Sequence, residues 1–141
     1  MSEPTIVVPE NPADADRKAI VDVLMAFNDK AGGPARFQPL AILIKDPDTG
    51  MTLGGLWGRT IYDWLFVELL VVPEQHRGGD LGSRILAQAE AIARSRGCIG
   101  VWLDTYAFQA PDFYRKQGYT AFGTIDDHPR GQKRYFFQKR F

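Results

Sequence analysis

The segment Pro73-Glu74-Gln75-His76-Arg77-Gly78-Gly79-Asp80-Leu81-Gly82-Ser83 decides the fold of this chain. It follows an almost unbroken apolar run, residues 64–72, and precedes a strongly periodic amphipathic stretch, residues 81–96. This order predicts a strand that ends in a glycine-rich turn and leads into a helix. The first backbone N–H groups of a helix have no partner within it, and together they carry a partial positive charge. The segment therefore predicts a pocket for a phosphate-bearing cofactor.

The residues around the glycines narrow the choice of cofactor. A nucleoside triphosphate P-loop needs Gly-Lys-Ser/Thr at the turn, and this segment has no lysine there. A dinucleotide-binding turn needs G-x-G-x-x-G, whereas the spacing here is Arg77-x-x-Asp80-x-Gly82. The first kind of loop is excluded and the second is disfavoured.

A third kind of loop fits the segment better. The spacing resembles the Q/R-x-x-G-x-G/A pyrophosphate loop of the GNAT family of N-acetyltransferases. Residues 69–74 are similar to the family's fourth strand, and residues 83–86 to the start of its third helix. Further along, Ala110-Pro111-Asp112-Phe113-Tyr114-Arg115-Lys116-Gln117-Gly118-Tyr119 matches the family's A-x-x-F-Y-x-x-x-G-Y/F signature. Because both motifs occur in the family's order, the chain is identified as similar to this family.

The pattern along the chain predicts one α/β domain, residues 1–141. The resemblance implies the GNAT fold, a twisted, mixed, mostly antiparallel sheet of about six to seven strands with helices on both faces. A helix is predicted to begin at Asn11-Pro12 and to end at Gly32-Gly33-Pro34. Besides the apolar run before the loop, strands are predicted at residues 5–8, 40–45, 51–57, 97–103, 119–125 and 134–139.

Composition argues against several kinds of partner. The chain has 141 residues, 45% of them hydrophobic and 24% charged, which is ordinary for a globular protein. Seventeen basic side chains balance seventeen acidic ones, so no bulk charge attracts nucleic acid or an anionic membrane. No apolar run is as long as a membrane span, and Met1-Ser2-Glu3-Pro4 does not resemble a signal peptide. The single cysteine, Cys98, favours a reducing compartment, so we expect a cytoplasmic location.

The resemblance implies that acetyl-CoA is the co-substrate. Its diphosphate is expected on the backbone amides of the glycine loop, and its pantetheine arm is expected to pair with the preceding strand like an added strand. Arg77 would add positive charge near a phosphate. The residues that the resemblance assigns to acetyl-CoA are Leu70, Val71, Val72, Arg77, Gly78, Gly79, Asp80, Leu81, Gly82 and Ser83.

Asp80 departs from the family pattern, which usually has glycine at this place. A carboxylate this close to a diphosphate would repel it. Aspartate also caps helices, so we interpret Asp80 as a helix cap turned away from the ligand. Weakened cofactor binding is the alternative.

Tyr114 is the predicted catalytic acid. In many relatives the tyrosine of this signature lies near the sulfur of CoA and protonates the departing thiolate. A phenol with a pKa of about 10 is a suitable acid for a thiol with a pKa of about 8.5. The alternative is that Tyr114 packs in the core beside Phe113 and has only a structural role.

Glu68 is the predicted general base. It is the only charged side chain in the apolar run 64–72, where a carboxylate is costly unless it is solvated, paired or part of a site. Many relatives carry an acid in this strand, often acting through water. An outward-facing or salt-bridged glutamate is the alternative.

Other positions bear on the acceptor. The family often has asparagine where this chain has Ala107, so that contact is absent or supplied by Gln109. Asp104 either lines the acceptor side or caps the next turn. His76 and His128 lack ligand-spaced partners, so no metal site is expected, and both are interpreted as surface residues.

Together these features predict an acetyl-CoA-dependent N-acetyltransferase that transfers the acetyl group directly to a primary amine. The acceptor is a small molecule or a peptide that the sequence does not identify. A non-catalytic acyl-CoA-binding or regulatory module with the same fold is the alternative, motivated by Asp80 and Ala107. Many relatives are homodimers, and the aromatic residues 134–137 are a candidate contact for one.

Overall fold

The computed structural model describes residues 2–141, which form two compact units, one ending at Ala35 and one comprising Arg36–Phe141. The first unit contains helix α1, Asp14–Ala31, and the helix ends at Gly32 as predicted. The start differs from the prediction, because Ala13 rather than Asn11 occupies the N-cap position. No side chain caps this end, and Asp14 and Asp16 supply negative charge to the first turn instead.

Residues 5–8 do not form the strand that was predicted for them. The β-branched residues of this run are strand formers, but Pro4 precedes them and Pro9 follows them. A proline has no N–H to give to a neighbouring strand, so two of them leave a segment too short to pair. Residues 2–10 therefore have irregular backbone.

The second unit is built on one six-stranded sheet with the order β1-β2-β3-β4-β6-β5. Only β3 and β4 run parallel, and all other neighbours are antiparallel. The strands are β1 Gln38–Lys45, β2 Thr52–Ile61, β3 Trp64–Val71, β4 Gly100–Tyr106, β5 Thr120–Asp126 and β6 Lys133–Arg140. Helix α2, Leu81–Ser95, connects β3 to β4, and helix α3, Pro111–Lys116, precedes β5. The mixed, mostly antiparallel sheet is as expected, with six strands.

The core lies on the face of the sheet that α2 covers. Alternate residues of the central strands are buried there, as period-two strands require: Leu65, Val67, Val101, Leu103 and Phe137. The helix meets them with a buried apolar stripe formed by Ile85, Leu86, Ala89 and Ala93. Its periodicity predicts a face of Leu81, Ile85, Ala89, Ile92 and Ala93, of which Leu81 and Ile92 are half-buried. Helix α3 adds Tyr114, whose ring lies 6.1 Å from that of Phe137. Both helices of this unit therefore pack on the same face.

Strand β6 is an interior strand, paired with β4 on one side and β5 on the other. Phe137 at its centre is fully buried. Its backbone is therefore not available to pair with a second copy through residues 134–137. The homodimer stays a prediction, which a solution mass near 15.8 kDa by light scattering would contradict.

A polar network fixes α2 to the sheet. Glu90 on α2 accepts hydrogen bonds from the Tyr119 hydroxyl and from Lys139 Nζ of β6, both at 2.9 Å. Lys139 Nζ also donates to the Gln117 carbonyl at the end of α3, at 3.0 Å. The Glu90 side chain is only 12% exposed, so these bonds form in a poorly solvated place. Burial raises the pKa of Tyr119, and the Glu90 carboxylate raises it further.

We predict that Glu90→Gln lowers the free energy of unfolding by about 1–3 kcal/mol, because Lys139 then loses a charged partner away from bulk water. Urea denaturation followed by circular dichroism measures the change. Asp112→Asn is the matched control, since it breaks an exposed pair with Arg115 and should cost little. If Glu90→Gln and the control have equal free energies of unfolding, the polar network does not stabilise the attachment of α2 to the sheet.

Candidate active site

The two parallel strands of the sheet separate partway along their length. β3 and β4 pair from Trp64↔Gly100 to Val67↔Leu103, and no pair follows. Beyond that point β3 stays paired with β2 up to Val71, and β4 stays paired with β6 up to Tyr106. The two inner strand edges therefore face an opening and leave backbone N–H and C=O groups for an extended ligand.

A bulge marks the start of this opening. Trp57 pairs with Leu69 and Gly58 pairs with Val67, so Glu68 is an extra residue in β3 without a partner in β2. Bulges bend a strand and change the direction of the side chain at that position. Glu68 is therefore the first residue of β3 past the parallel pairing and also the point where the strand bends.

The glycine loop lies at the same end of the sheet as the opening. After β3 the chain forms a short 3-10 helix, Glu74–His76, then turns through Gly78, whose φ of 88° favours glycine. The first backbone hydrogen bond of α2 runs from the Arg84 N–H to the Asp80 carbonyl. The N–H groups of Leu81, Gly82 and Ser83 precede it, so they point out of the helix end as a site for an anion.

Gly82 holds the start of α2 against the end of β3 and against α3. A Cβ at this position would lie 3.3 Å from Phe113 Cζ and 3.8 Å from Val72 Cγ2. Gly79, in contrast, has no protein atom within 4 Å of such a Cβ. The packing of the protein thus requires a small residue at position 82, whereas the space beside position 79 is open.

Asp80 does occupy the N-cap position of α2, but its side chain makes no capping hydrogen bond. The Asp80 carbonyl accepts a bond from Ser83 Oγ at 3.0 Å, and the carboxylate lies 3.6 Å from an Arg84 Nη atom. The predicted side-chain cap is therefore wrong. The carboxylate instead forms a loose, exposed ion pair with Arg84, one helical turn further on.

Arg77 connects the loop to the end of β3. Its Nε donates a hydrogen bond to the Val72 carbonyl at 2.9 Å. This bond fixes the guanidinium at the mouth of the opening, and it occupies the carbonyl that an added strand would otherwise use at Val72. Leu70 and Val71 still pair with Leu56 and Gly55 of β2, and neither has a partner in β4.

Of the adjacent aromatic residues of α3, Phe113 borders the loop and Tyr114 is buried. The Tyr114 side chain is 7% exposed and packs between the rings of Phe113, Tyr119 and Phe137. Burial raises the pKa of the Tyr114 phenol to about 12, and the negative charge of Asp104 adds to the rise. The phenol is therefore neutral at physiological pH and close enough to Asp104 to sense its charge.

The face of the sheet opposite α2 carries charged and aromatic side chains around the opening. Phe66 and Trp102 lie opposite each other in the parallel pairing and stack with ring centroids 4.2 Å apart. Arg59 lies over Phe66 at 4.7 Å, and one of its Nη atoms is 3.9 Å from Glu68 Oε2. Glu68 is 49% exposed, so this is a loose and solvated ion pair.

Asp104 is held on the other side of the opening. Arg134 of β6 donates to its Oδ1 through Nε at 2.9 Å, and a terminal nitrogen of the same guanidinium lies 2.7 Å away. The guanidinium also lies over the rings of Tyr106 and Phe136. Asp104 is therefore an ion-paired residue at the opening and does not cap the next turn.

The turn after β4 uses Gln109 as its internal partner. Gln109 Oε1 accepts hydrogen bonds from the Thr105 hydroxyl at 3.2 Å and from the Tyr106 N–H at 2.9 Å. The amide carbonyl of Gln109 is thus engaged in the turn, and only its NH2 group is left for the predicted contact with CoA.

His128 differs from the surface residue that was predicted. Its Nδ1 is buried and has no hydrogen-bond partner among residues 2–141, and its ring lies edge-on to Tyr106 at 5.4 Å. In the part of the chain that the structure describes, no cluster of three metal-ligating side chains occurs. The same residues contain no helix that is long and apolar enough to cross a membrane.

Comparisons with known proteins agree on one family. The sequence model of the acetyltransferase (GNAT) family matches residues 13–119. An acetyltransferase of Agrobacterium fabrum is 41% identical over 130 residues, which cover 92% of this chain and 94% of that protein. A blasticidin-S acetyltransferase of Streptomyces morookaense is 47% identical over 85 residues, or 60% of this chain and 62% of that protein. The crystal structure of an acetyltransferase from Agrobacterium tumefaciens has a TM-score of 0.92 at 36% identity and covers 98% of this chain and 100% of that one.

We predict that Tyr114 makes the protein less stable as the pH rises from 10 toward 12, because the unfolded phenol loses its proton first. Below pH 10 the phenol keeps its proton in both the folded and the unfolded protein, so the contribution of Tyr114 to the free energy of unfolding is complete. Above pH 10 this contribution decreases by about 1.4 kcal/mol per pH unit. Urea denaturation between these pH values should give a shallower fall in stability for Tyr114→Phe than for the wild type. Tyr62→Phe, at an exposed site, is the control, and equal slopes in all three proteins would contradict the buried phenol.

Proposed function

This chain belongs to the acetyltransferase (GNAT) family and is an acetyltransferase, and we propose that it transfers the acetyl group of acetyl-CoA directly to a primary amine of a small molecule. The observation that carries this proposal is the opening between β3 and β4. On the α2 side it is bordered by the backbone N–H groups of the glycine loop, and on the opposite side by the Glu68 carboxylate. A phosphate-bearing donor and an amine can thus approach one point from two sides of the sheet.

The residues present fit acetyl-CoA, which supplies the acetyl thioester when bound. The N–H groups of Leu81, Gly82 and Ser83 would hold its diphosphate, aided by the helix dipole. The open space beside Gly79 would admit the phosphates close to the backbone. The edge of β3 beyond Val67 has no partner in β4, and it would bind the pantetheine amides as an added strand does.

Two charged side chains of the loop bear on this binding. The Arg77 guanidinium would face the diphosphate while its Nε stays bonded to the Val72 carbonyl. The Asp80 carboxylate would repel the same group, but Arg84 lies 3.6 Å from it and offsets its charge. We therefore propose that the loop retains a net attraction for phosphate despite Asp80.

Glu68 is the proposed base. An amine is protonated at neutral pH, so it must lose a proton before its nitrogen forms the new bond to the acetyl carbon. Glu68, or a water that it orients, would take this proton, and its 49% exposure gives the proton a way to solvent. The loose contact with Arg59, at 3.9 Å, keeps the carboxylate at the opening without a tight partner.

Tyr114 is the proposed acid. As the carbon–sulfur bond breaks, the sulfur becomes a thiolate, and the phenol would give it a proton. With a pKa of about 12 the phenol is a weaker acid than free tyrosine, so complete transfer to a thiol of pKa about 8.5 is uphill. Tyr114 would therefore stabilise the departing sulfur chiefly through a hydrogen bond that shortens as negative charge develops.

The relatives support a small-molecule acceptor. The Streptomyces morookaense relative is named for its acetylation of blasticidin-S, and it is 47% identical to this chain over 85 residues. We propose a small amine of this general kind as the acceptor, without assigning that compound to this chain.

We also propose that residues 1–141 form one functional domain, since the family match, 13–119, crosses the boundary between the two compact units. A cytoplasmic location is proposed with it. Cys98 supports the location, because a single cysteine cannot form a disulfide within the chain.

We predict that Glu68→Gln and Tyr114→Phe each lower kcat by about a hundredfold or more, since the first removes the group that takes the amine's proton and the second removes the hydrogen bond to the departing sulfur. Free-thiol release from acetyl-CoA in the presence of a panel of small amines measures the rate. Matched controls exist in the same protein: Glu90→Gln and Tyr119→Phe remove the same functional groups from the network that fixes α2. The controls should lose stability and keep kcat, and equal losses of kcat in all four variants would contradict the assigned roles.

A further inference from the structure

Two carboxylates occupy equivalent positions on the two strands of the opening. The last parallel pair is Val67↔Leu103, so Glu68 and Asp104 are the next residues on β3 and β4. Neighbouring strands lie about 5 Å apart where they pair and farther apart beyond the last pair. A ligand that enters the opening therefore passes between these two residues.

Both side chains lie on the face opposite α2. Glu68 contacts Arg59, which lies over Phe66, and Asp104 contacts Arg134, which lies over Phe136. The stacked rings of Phe66 and Trp102 lie two residues before the two carboxylates, on the same face of the sheet. The Arg59 guanidinium already lies over the Phe66 ring, so these electron-rich rings accept positive charge and disfavour an anion.

The two carboxylates differ in how they are held. Glu68 is half exposed and its arginine is distant, which suits a group that exchanges protons. Asp104 is 18% exposed, and its two contacts from Arg134 both fall on Oδ1. Its Oδ2 atom is therefore available to a ligand, while Arg134 and the surrounding rings fix the orientation of the carboxylate.

We infer that Asp104 binds a second cationic group of the acceptor, so that the preferred acceptors are amines that carry two positive charges. This rests on the proposed function, in which the amine that reacts is next to Glu68. One positive charge is then neutralised on β3 when the proton leaves, and the other stays paired with Asp104 on β4. Asp104 is a specificity-determining residue that exchanges no proton itself, although its charge adds to the raised pKa of Tyr114.

Three amines of equal chain length test the inference: diaminobutane, butylamine and aminobutyrate, whose second group is positive, neutral and negative. With saturating acetyl-CoA, thiol release should give a kcat/KM for diaminobutane about tenfold or more above that for butylamine, and a lower value for aminobutyrate. Asp104→Asn should reduce the ratio of diaminobutane to butylamine to near one, mainly by raising KM. Asp104→Glu should restore part of the preference.

Asp126→Asn is the matched control, because it removes a carboxylate that pairs with Lys133 at 2.8 Å on an exposed surface. It should leave the ratio as in the wild type. A ratio near one in the wild type, a preference for aminobutyrate, or an equal loss for all amines in Asp104→Asn would overturn the inference.

Calorimetric binding of diaminobutane in the presence of CoA separates this inference from the proposed function. If Asp104→Asn weakens diaminobutane binding about tenfold or more, but no amine causes thiol release from acetyl-CoA, the second-cation site is upheld and the transfer is contradicted. If all three amines cause thiol release, but Asp104→Asn leaves diaminobutane binding unchanged, the transfer is upheld and the second-cation site is contradicted.

Discussion

The parallel pairing of β3 with β4 is the constraint on which the site depends. It begins at Trp64↔Gly100 and ends at Val67↔Leu103, although both strands continue. Each strand keeps its outer neighbour, β2 or β6, so the separation costs only the hydrogen bonds between the two inner edges. Those unpaired edges are what a ligand can bind, and the bulge at Glu68 lies where they begin.

Contacts on both faces of the sheet fix the positions of the elements around the opening. On one face, Gly82 lets the start of α2 approach Phe113 and Val72, and the bonds of Glu90 to Tyr119 and Lys139 fix the rest of that helix. On the other face, two arginines hold two carboxylates at the two strands. The start of α2 thus lies on one face of the sheet and the two ion-paired carboxylates lie on the other, and the opening connects the two faces.

The sequence predicted the parts of this site that depend on local chemistry. The family and the fold are confirmed, because the glycine loop and the F-Y signature are contiguous segments whose backbone requirements are visible in their residues. The amphipathic stripe of α2 was predicted for the same reason. The alternative of a non-catalytic module is set aside by the chain's similarity to acetyltransferases.

The parts that depend on contacts between distant residues were not predicted. Glu90 and Lys139 are 49 positions apart, and no local pattern joins them. Asp80 was expected to cap α2 with its side chain, but its carboxylate makes no capping bond and lies in a loose, exposed ion pair with Arg84 one turn away. The strand predicted at residues 5–8 failed because two prolines outweigh a short β-branched run. The pairing of Asp104 with Arg134 likewise follows from the register of β4 and β6.

Hydrogen–deuterium exchange of the full chain with and without acetyl-CoA tests the central claim most directly. If the opening and the glycine loop form one binding site, acetyl-CoA slows exchange at residues 69–72 and 79–83 together. Exchange in β1, Gln38–Lys45, at the far edge of the sheet, stays unchanged. Protection elsewhere in the chain without protection of these two segments would contradict the account.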